Sequence, residues 1–240
     1  MSTEHSQCRC SAHHRAITKQ QWLRCQRHEL ARWQGKAMLE CEMHRLQQRL
    51  LPLCDPYLQQ LDEKSEILEI GSGPTCFSQW IEKGHKTFVD PLLEDLRRTY
   101  PGTIPKGRYL TSEAEKIPLT DHSIDLIICI NALSFVYNPE IALHEMGRLL
   151  RDGATVILCA KTASSPMARL HYTATRIFPA FYNHVRPYRF TLAAMRRMIS
   201  RHLTIHEEIT VGDHIPPWNM IADHEQIFIC SSSPPPLPPS

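Results

Sequence analysis

The 240-residue sequence predicts an α/β fold: a doubly wound, mostly parallel, seven-stranded sheet with an antiparallel terminal hairpin. Short apolar runs alternate with helical stretches over 66–160, as in sheets whose parallel strands are joined by crossover helices. The strand runs are apolar almost throughout, which is typical of strands covered on both faces. A turn with two glycines follows the first run, where such sheets bind ligands. These three observations make the predicted fold Rossmann-like.

The chain before the first strand is predicted to be an N-terminal helical region. We expect residues 1–16 to be a disordered N-terminus. Apolar residues recur every three or four positions over 17–61, which predicts helices that pack on the core or close over the site as a lid. Pro52 and Pro56 should end or kink the last of them. The Cys and His residues near the start lack the usual zinc spacing, so no metal site is predicted.

Residues 62–230 form the predicted ligand-binding domain. Its elements follow in this order: strand 66–70, helix 74–83, strand 86–90, helix 91–100, strand 107–111, strand 123–130, helix 139–150 and strand 154–160. A largely helical substrate cap is then predicted over 162–202. Two further apolar runs, TIHEEITV and EQIFIC, predict the hairpin that completes the sheet. Residues 231–240 are a Pro-rich tail that should be extended.

Composition and charge exclude several classes of protein. No apolar run reaches the ~18 to 20 residues of a membrane span, and the start lacks the apolar core of a signal peptide. The nine cysteines are odd in number and some lie in strand-like runs, as expected of free thiols in a reducing compartment. We therefore expect a soluble, cytoplasmic protein with no membrane span.

The turn after the first strand is the first candidate site. Gly71 and Gly73 would let the main chain approach a ligand closely. A dinucleotide fingerprint would have a third glycine at position 76, where the chain has Cys76. Asp90 ends the second strand, at the place where a carboxylate accepts hydrogen bonds from ribose hydroxyls. The pattern predicts a ligand that contains a nucleoside.

Residues 112–133, SEAEKIPLTDHSIDLIICINAL, indicate which ligand this is. They resemble the motif region of class I S-adenosylmethionine-dependent methyltransferases. The resemblance is strongest to the small-molecule, methyltransferase type 11-like group, in which an acid-Ala-Glu-x-Leu-Pro stretch precedes a Phe-Asp-apolar strand. VDPLLEDLRRTYP and the stretch over 131–160 are similar to that group too. The resemblance covers 66–160 well and implies S-adenosylmethionine (SAM) as the cofactor.

The resemblance also implies a role for each matching residue on the methionine side of the cofactor. Gly71, Ser72 and Gly73 would pass against the methionine part. Glu69 would lie near its amino group, at the end of the first strand. Asp90 would hold both ribose hydroxyls.

On the adenine side, Pro91 and Leu92 would pack beside the ring. Glu113 would accept a hydrogen bond from the adenine amino group, and Ala114 would donate its backbone N–H to the ring. Two residues past the fourth strand would lie near the sulfonium: Asn131 and Ala132.

The segment after the fifth strand predicts the substrate side. No Asp or Glu occurs over 153–206, while Lys and Arg recur, so a cap built from it would attract an anion. The turn around Pro187 holds three candidate substrate-binding residues, Arg186, Tyr188 and Arg189. His184 beside them is the candidate general base, because histidine titrates near neutral pH.

These features predict an enzyme that transfers a methyl group to a small, anionic or aromatic acceptor by in-line displacement. Alignment and exclusion of water are the main requirements of that reaction. Aromatic residues between the cap arginines keep an RNA methyltransferase open as an alternative, although the net charge of +2 is mild for one. Ser134 and Phe135 stand where many relatives have an acid–His pair, which also keeps open a SAM-binding partner protein that does not catalyse transfer.

Overall fold

A seven-stranded sheet organises the computed structural model, which describes residues 17–177, 186–212 and 223–232. The strands are β1 (Glu66–Ile70), β2 (His85–Val89), β3 (Arg108–Leu110), β4 (Ile124–Ile130), β5 (Leu150–Thr162), β6 (Leu203–Val211) and β7 (His224–Ser232). Their order is β3-β2-β1-β4-β5-β7-β6. Strands β1 to β5 pair in parallel, and β7 runs antiparallel to both β5 and β6. The predicted fold class, with its antiparallel terminal hairpin, is confirmed.

The strand order reverses between β1 and β4, the central pair of the sheet. From β1 the chain builds outward through β2 to β3, and from β4 it builds the other way through β5. The connections after β1 and β4 therefore leave the sheet in opposite directions and open a crevice at its carboxyl edge. This reversal positions the site.

Helices cover both faces of the sheet. They are α1 (Lys19–Arg32), α2 (Lys36–Arg45), α3 (Leu51–Leu58), α4 (Leu93–Thr99), α5 (Pro139–Leu149), α6 (Ser165–Ile177) and α7 (Leu192–Ile199). A capping box between Thr18 and Gln21 starts α1. Asn138 caps α5 by accepting from the backbone of Glu140 at 3.1 Å. None of the described helices has the length and apolar character needed to cross a membrane.

The N-terminal helices pack on one face of the sheet, together with the β1–β2 connection. Leu46, Leu50 and Cys54 are buried in one cluster with residues of β1, β4, β5 and β7. A π-helical turn, Leu46–Leu50, joins α2 to α3 just before Pro52. This wider turn lets the chain stay helical through a residue that lacks a backbone N–H.

The predicted helix over 74–83 is wrong. Only Phe77–Trp80 form a short 3-10 turn there. Cys76, just before it, has a φ of 37°, which is incompatible with helical entry. The Glu69 carboxylate accepts hydrogen bonds from the backbone N–H groups of Phe77 and Ser78, and these bonds hold the short turn in place.

The predicted substrate cap over 162–202 is helical at both ends, in α6 and α7. Between them the chain is extended at Phe190, which forms an isolated bridge with Thr162. Residues 178–185, which include His184, lie outside the described residues, as do the N-terminus over 1–16 and the tail over 233–240. The predictions made for those segments stay predictions.

Candidate functional site

A cleft opens at the carboxyl ends of β1, β2 and β4, beneath α1 and the start of α2. Its empty volume, which includes space open to solvent, is about 1160 Å³. The cleft brings together every residue predicted to contact the cofactor: Glu69, Gly71, Ser72, Gly73, Asp90, Pro91, Leu92, Glu113, Ala114, Asn131 and Ala132. Stretches over sixty residues apart in sequence thus meet at one edge of the sheet.

The glycine turn after β1 lies unusually close to its neighbours. Gly71 and Gly73 have φ values of +67° and +55°, in the left-handed region that favours glycine. A Cβ atom on Gly71 would lie only 2.2 Å from the Cβ of Ala132. One on Gly73 would lie 3.7 Å from the ring of Trp33, in the α1–α2 connection. Both glycines are needed for the cleft to keep this shape.

The Asp90 carboxylate ties the glycine turn to the end of β2. It is buried and accepts hydrogen bonds from the backbone N–H of Gly73 at 3.1 Å and that of Leu92 at 2.8 Å. Burial raises its pKa above the ordinary value for aspartate. A carboxylate has about four acceptor positions, so Asp90 can also accept from ligand hydroxyls in the cleft.

The Glu69 carboxylate lies against the turn that follows β1. It accepts from Phe77 N at 2.6 Å, from Ser78 N at 2.9 Å and from Ser78 Oγ at 2.5 Å. Burial raises the pKa of Glu69 to about 7, although the hydrogen bonds from Ser78 and Phe77 act in the opposite direction. Glu69 thus has a structural task in addition to its predicted place near a ligand amino group.

The raised pKa of Glu69 should make stability depend on pH. Because the folded-state pKa is above the ordinary value of 4.5, this group's stabilising contribution is present below pH 4.5 and is lost as the pH rises through 7. We expect the unfolding free energy of the wild type to fall relative to Glu69→Gln between pH 5 and pH 8. The relative fall should be roughly 2 to 3 kcal/mol, since one pKa unit is about 1.4 kcal/mol.

Urea unfolding of both proteins at the two pH values measures this difference. The other buried carboxylates of the cleft titrate in both proteins, so their contribution cancels in the comparison. A gap between wild type and Glu69→Gln that stays constant with pH would show that Glu69 is ionised throughout.

Helix α1 roofs the cleft through specific polar contacts. Trp22 Nε1 and Gln26 Nε2 both donate to the carbonyl of Phe135, at 3.1 and 3.0 Å. Lys19 forms an ion pair with Glu113 on the opposite wall. These contacts hold the N-terminal region across the carboxyl edge of the sheet, so it both packs on the core and covers the site.

The residues of the cleft lie within a part of the chain that resembles known proteins. Residues 68–158 match the family model described as a methyltransferase domain. This part of the chain has the fold of class I methyltransferases. The match begins in β1 and ends within β5, so it contains the glycine turn, Asp90 and the loop after β4.

Curated relatives match about two fifths of the chain. One is a malonyl-[acyl-carrier protein] O-methyltransferase of Hamiltonella defensa, 29% identical over 40% of this chain and 37% of its own length. Another is an uncharacterized methyltransferase-like protein of Schizosaccharomyces pombe, 30% identical over 42% of this chain and 40% of its own. The matched part of the chain spans about two fifths of the length of these relatives.

Solved structures resemble more of the chain. A Haloferax volcanii methyltransferase in complex with the Trm112 methyltransferase activator has a TM-score of 0.61 at 14% identity, covering 85% of this chain and 97% of its own. A SAM-dependent methyltransferase from Thermotoga maritima has a TM-score of 0.57 at 20% identity, covering 89% and 100%. At these identities the likeness supports the fold alone.

The charge of the folded cap is not uniformly positive, because acidic side chains pair with its arginines. Arg186 and Arg189 both form ion pairs with Asp223, at 2.9 and 2.8 Å. Arg196 pairs with Glu208, and Arg201 pairs with Glu140. The acids come from elements outside the segment, which is why the count over 153–206 did not predict them.

The three candidate substrate residues of the cap have different positions. Arg186 lines the cleft. Arg189 and Tyr188 are not among its lining residues. The Tyr188 side chain is buried, and its hydroxyl accepts from Ile17 N at 3.1 Å and donates to the Tyr137 carbonyl at 2.7 Å. Tyr188 therefore links the N-terminal region to the loop after β4 rather than facing the cleft.

Two residues at the cleft were not among the predicted site residues, although Lys161 belongs to the basic segment that was expected to attract an anion. Lys161, near the end of β5, lines the cleft and forms no ion pair among the described residues. Glu225, on β7, contacts Asn131 at the cleft wall. The signal for Lys161 was its place at a strand end that faces the crevice. Glu225 lies 94 residues from Asn131, and no local pattern connects them.

Proposed function

We propose that this chain binds S-adenosylmethionine in the cleft and transfers its methyl group to a small acceptor. One observation carries the proposal: the residues that the family resemblance assigns to the cofactor line one continuous cleft around the Gly71–Gly73 turn and the buried Asp90 carboxylate. The matched family supports the reaction type.

The cleft has polar groups that fit such a ligand. Three buried side-chain oxygens in its wall have no hydrogen-bond partner within the described part of the chain: Ser72 Oγ, Glu115 Oε2 and Asn131 Oδ1. Buried polar atoms normally find partners, so each is a candidate ligand contact. The described lining also has more acidic residues (Glu29, Glu42, Glu69, Asp90, Glu113, Glu115) than basic ones (Arg32, Lys161, Arg186). SAM carries a sulfonium, an ammonium and one carboxylate, so its net positive charge suits this lining.

The residues of the chain would bind, orient and shield the reacting groups. Bound SAM supplies a methyl group already activated by the sulfonium charge. Asp90 and the backbone of the glycine turn fix the nucleoside and methionine parts. Trp22, Trp33 and Phe135 in the roof exclude water from the cleft. Alignment and desolvation by these groups supply the catalysis of an in-line displacement.

The acceptor is proposed to be small and anionic or aromatic. Lys161 and Arg186 are cations in the cleft lining, and the aromatic roof can pack on a flat acceptor. The alternative of an RNA acceptor was based on aromatic residues interleaved with the cap arginines. Arg189, Arg196 and Arg201 are paired within the chain and do not line the cleft, and this favours the small acceptor.

The proposed function is tested by calorimetric titration with SAM and S-adenosylhomocysteine. We expect one site for each ligand. With binding established, small carboxylates, phosphates and phenols are screened as acceptors by the release of S-adenosylhomocysteine. A folded wild type that binds neither compound would contradict the proposal.

Arg186→Ala and Arg189→Ala form a matched pair for the acceptor. Each removes one arginine that is paired with Asp223, but only Arg186 lines the cleft. We expect Arg186→Ala to raise the KM for an anionic acceptor about 10- to 100-fold, the usual effect of a lost charged hydrogen bond. Cofactor affinity should stay the same.

Arg189→Ala should leave the acceptor KM within about twofold of the wild type. Equal increases in the two variants would mean that Asp223 and the cap fold, rather than a contact from Arg186, set the KM. An unchanged KM in both variants would mean that these cap arginines do not contribute to acceptor binding.

A further inference from the structure

A small cluster behind the cleft wall controls the side chain of Asn131. One carboxylate oxygen, Glu225 Oε1, accepts from Asn131 Nδ2 at 2.7 Å and from Arg45 Nη1 at 2.6 Å. Cys159 Sγ lies 3.4 Å from the same oxygen. Arg45 in α2 also pairs with Glu42 through both carboxylate oxygens. The cluster thus joins β7, the end of β4 and the N-terminal helices.

The chemistry of this cluster sets which way the Asn131 amide faces. A carboxylate oxygen that already accepts from a guanidinium serves as an acceptor, and Glu225 Oε1 accepts from Arg45 Nη1. The NH₂ group of Asn131 must therefore face Glu225. Its carbonyl oxygen, Oδ1, then faces the other way, and this atom is buried with no partner in the described part of the chain. Asn131 lines the cleft.

The backbone at Asn131 restricts the side chain further. Asn131 has a φ of +55° and is one of three non-glycine residues with a positive φ in the described part of the chain. Its N–H donates to the Cys159 carbonyl at 2.8 Å, which fixes this conformation just past β4. Strained conformations of this kind persist where the surroundings over-determine them and are common at functional sites. The neighbouring Ala132 packs on Gly71, so the amide lies beside the glycine turn.

We propose that Glu225 is a positioning residue that turns Asn131 Oδ1 toward the methyl-transfer position, where it accepts a hydrogen bond from the nucleophile. The inference rests on the proposed function and refines the acceptor: its nucleophilic atom carries a proton, as a hydroxyl or an amine does. The lone pair of that atom displaces S-adenosylhomocysteine from the methyl group, and the proton is then released to water, because the Asn131 amide cannot take it. A thiolate or carboxylate nucleophile would have no hydrogen to donate to Oδ1.

The probe is sinefungin, an analogue of SAM with an amine-bearing carbon in place of the sulfur and its methyl group. Its ammonium places N–H donors where the methyl group would be. S-adenosylhomocysteine has no donor there. The dissociation constants of sinefungin and S-adenosylhomocysteine are measured by calorimetry on the full chain. Their ratio reports the contact between the sinefungin ammonium and Asn131 Oδ1. We expect the wild type to prefer sinefungin.

Glu225→Gln should reduce this preference about tenfold or more, the usual worth of a hydrogen bond to a charged group. Gln can donate from its own amide, so Asn131 is free to turn its NH₂ toward the cleft. S-adenosylhomocysteine affinity should stay within about twofold. Asn131→Gly, which tolerates the φ of +55°, should lose the same preference. The double variant should lose no more than either single one, because Glu225 acts through Asn131.

Glu208→Gln is the matched control. Glu208 lies on the same β6–β7 hairpin and pairs with an arginine, Arg196, on an exposed surface. It should leave both ligand affinities unchanged. Thermal unfolding confirms that each variant is folded.

Three results would overturn the inference while leaving cofactor binding intact. They are an unchanged ratio in Glu225→Gln, additive losses in the double variant, or an equal loss for both ligands, which would place Oδ1 against the methionine part. A folded wild type that binds neither ligand would overturn the proposed function itself, and this inference with it.

Discussion

Gly71→Ala is expected to abolish binding of S-adenosylhomocysteine and to lower the free energy of unfolding by about 2 to 5 kcal/mol. Two effects add. A non-glycine residue at a φ of +67° costs about 1 to 2 kcal/mol. The new Cβ would also lie 2.2 Å from the Ala132 Cβ, and forcing extra atoms into a packed site typically costs about 1 to 3 kcal/mol. Relief of that contact must move the turn or the loop after β4, and both line the cleft.

Calorimetry and urea unfolding measure these two losses, and Gly153→Ala separates their causes. Gly153 has a φ of +78° but nothing within 4 Å of its Cβ position. That variant should show the dihedral cost alone, about 1 to 2 kcal/mol, with ligand affinity unchanged.

Adding Ala132→Gly to Gly71→Ala removes the opposing methyl group. The double variant should recover the steric part of the loss, and Ala132→Gly alone measures the cost of that change. Gly71→Ala could instead lose only as much unfolding free energy as Gly153→Ala and keep its ligand affinity. That result would show that the glycine turn does not closely approach the loop after β4.

The strands were the most predictable part of the fold. Buried parallel strands must be apolar almost throughout, so β1, β4 and β5 stand out as runs in the sequence. The cofactor side of the cleft was predictable for the same reason, because its residues come directly after those runs. Gly71 and Asp90 are each one residue past a strand, and the parallel order brings such positions to one edge.

The failures have a common physical origin in contacts between distant parts of the chain. The helix over 74–83 was predicted from local pattern, but the buried Glu69 carboxylate fixes a short turn there. The cap appeared one-signed because its acidic partners, such as Asp223 and Glu140, lie outside the segment. The orientation of Asn131 depends on Glu225, which only the antiparallel placement of β7 beside β5 brings near the cleft.

Asp90→Asn should weaken S-adenosylhomocysteine binding by about 10² to 10⁴-fold. Two hydrogen bonds from ribose hydroxyls to a carboxylate are each worth about 1.5 to 3 kcal/mol. The neutral amide keeps the size of the side chain and one acceptor oxygen. That oxygen can still hold the backbone N–H of Gly73 or of Leu92, but not both as the carboxylate does. The urea midpoint should fall only modestly, because the Asp90 hydrogen bonds are local to the glycine turn and the end of β2. Calorimetry gives the affinity.

The 2′-deoxy analogue of S-adenosylhomocysteine distinguishes a ribose contact from a general disturbance of the cleft. With the wild type, loss of the 2′-hydroxyl should weaken binding about tenfold or more, because the Asp90 carboxylate loses a donor. With Asp90→Asn the two ligands should bind almost equally, since the charged acceptor is already gone. An equal penalty for the deoxy compound in both proteins would assign the ribose to another group and leave Asp90 with only its two backbone hydrogen bonds, which tie the end of β2 to the glycine turn.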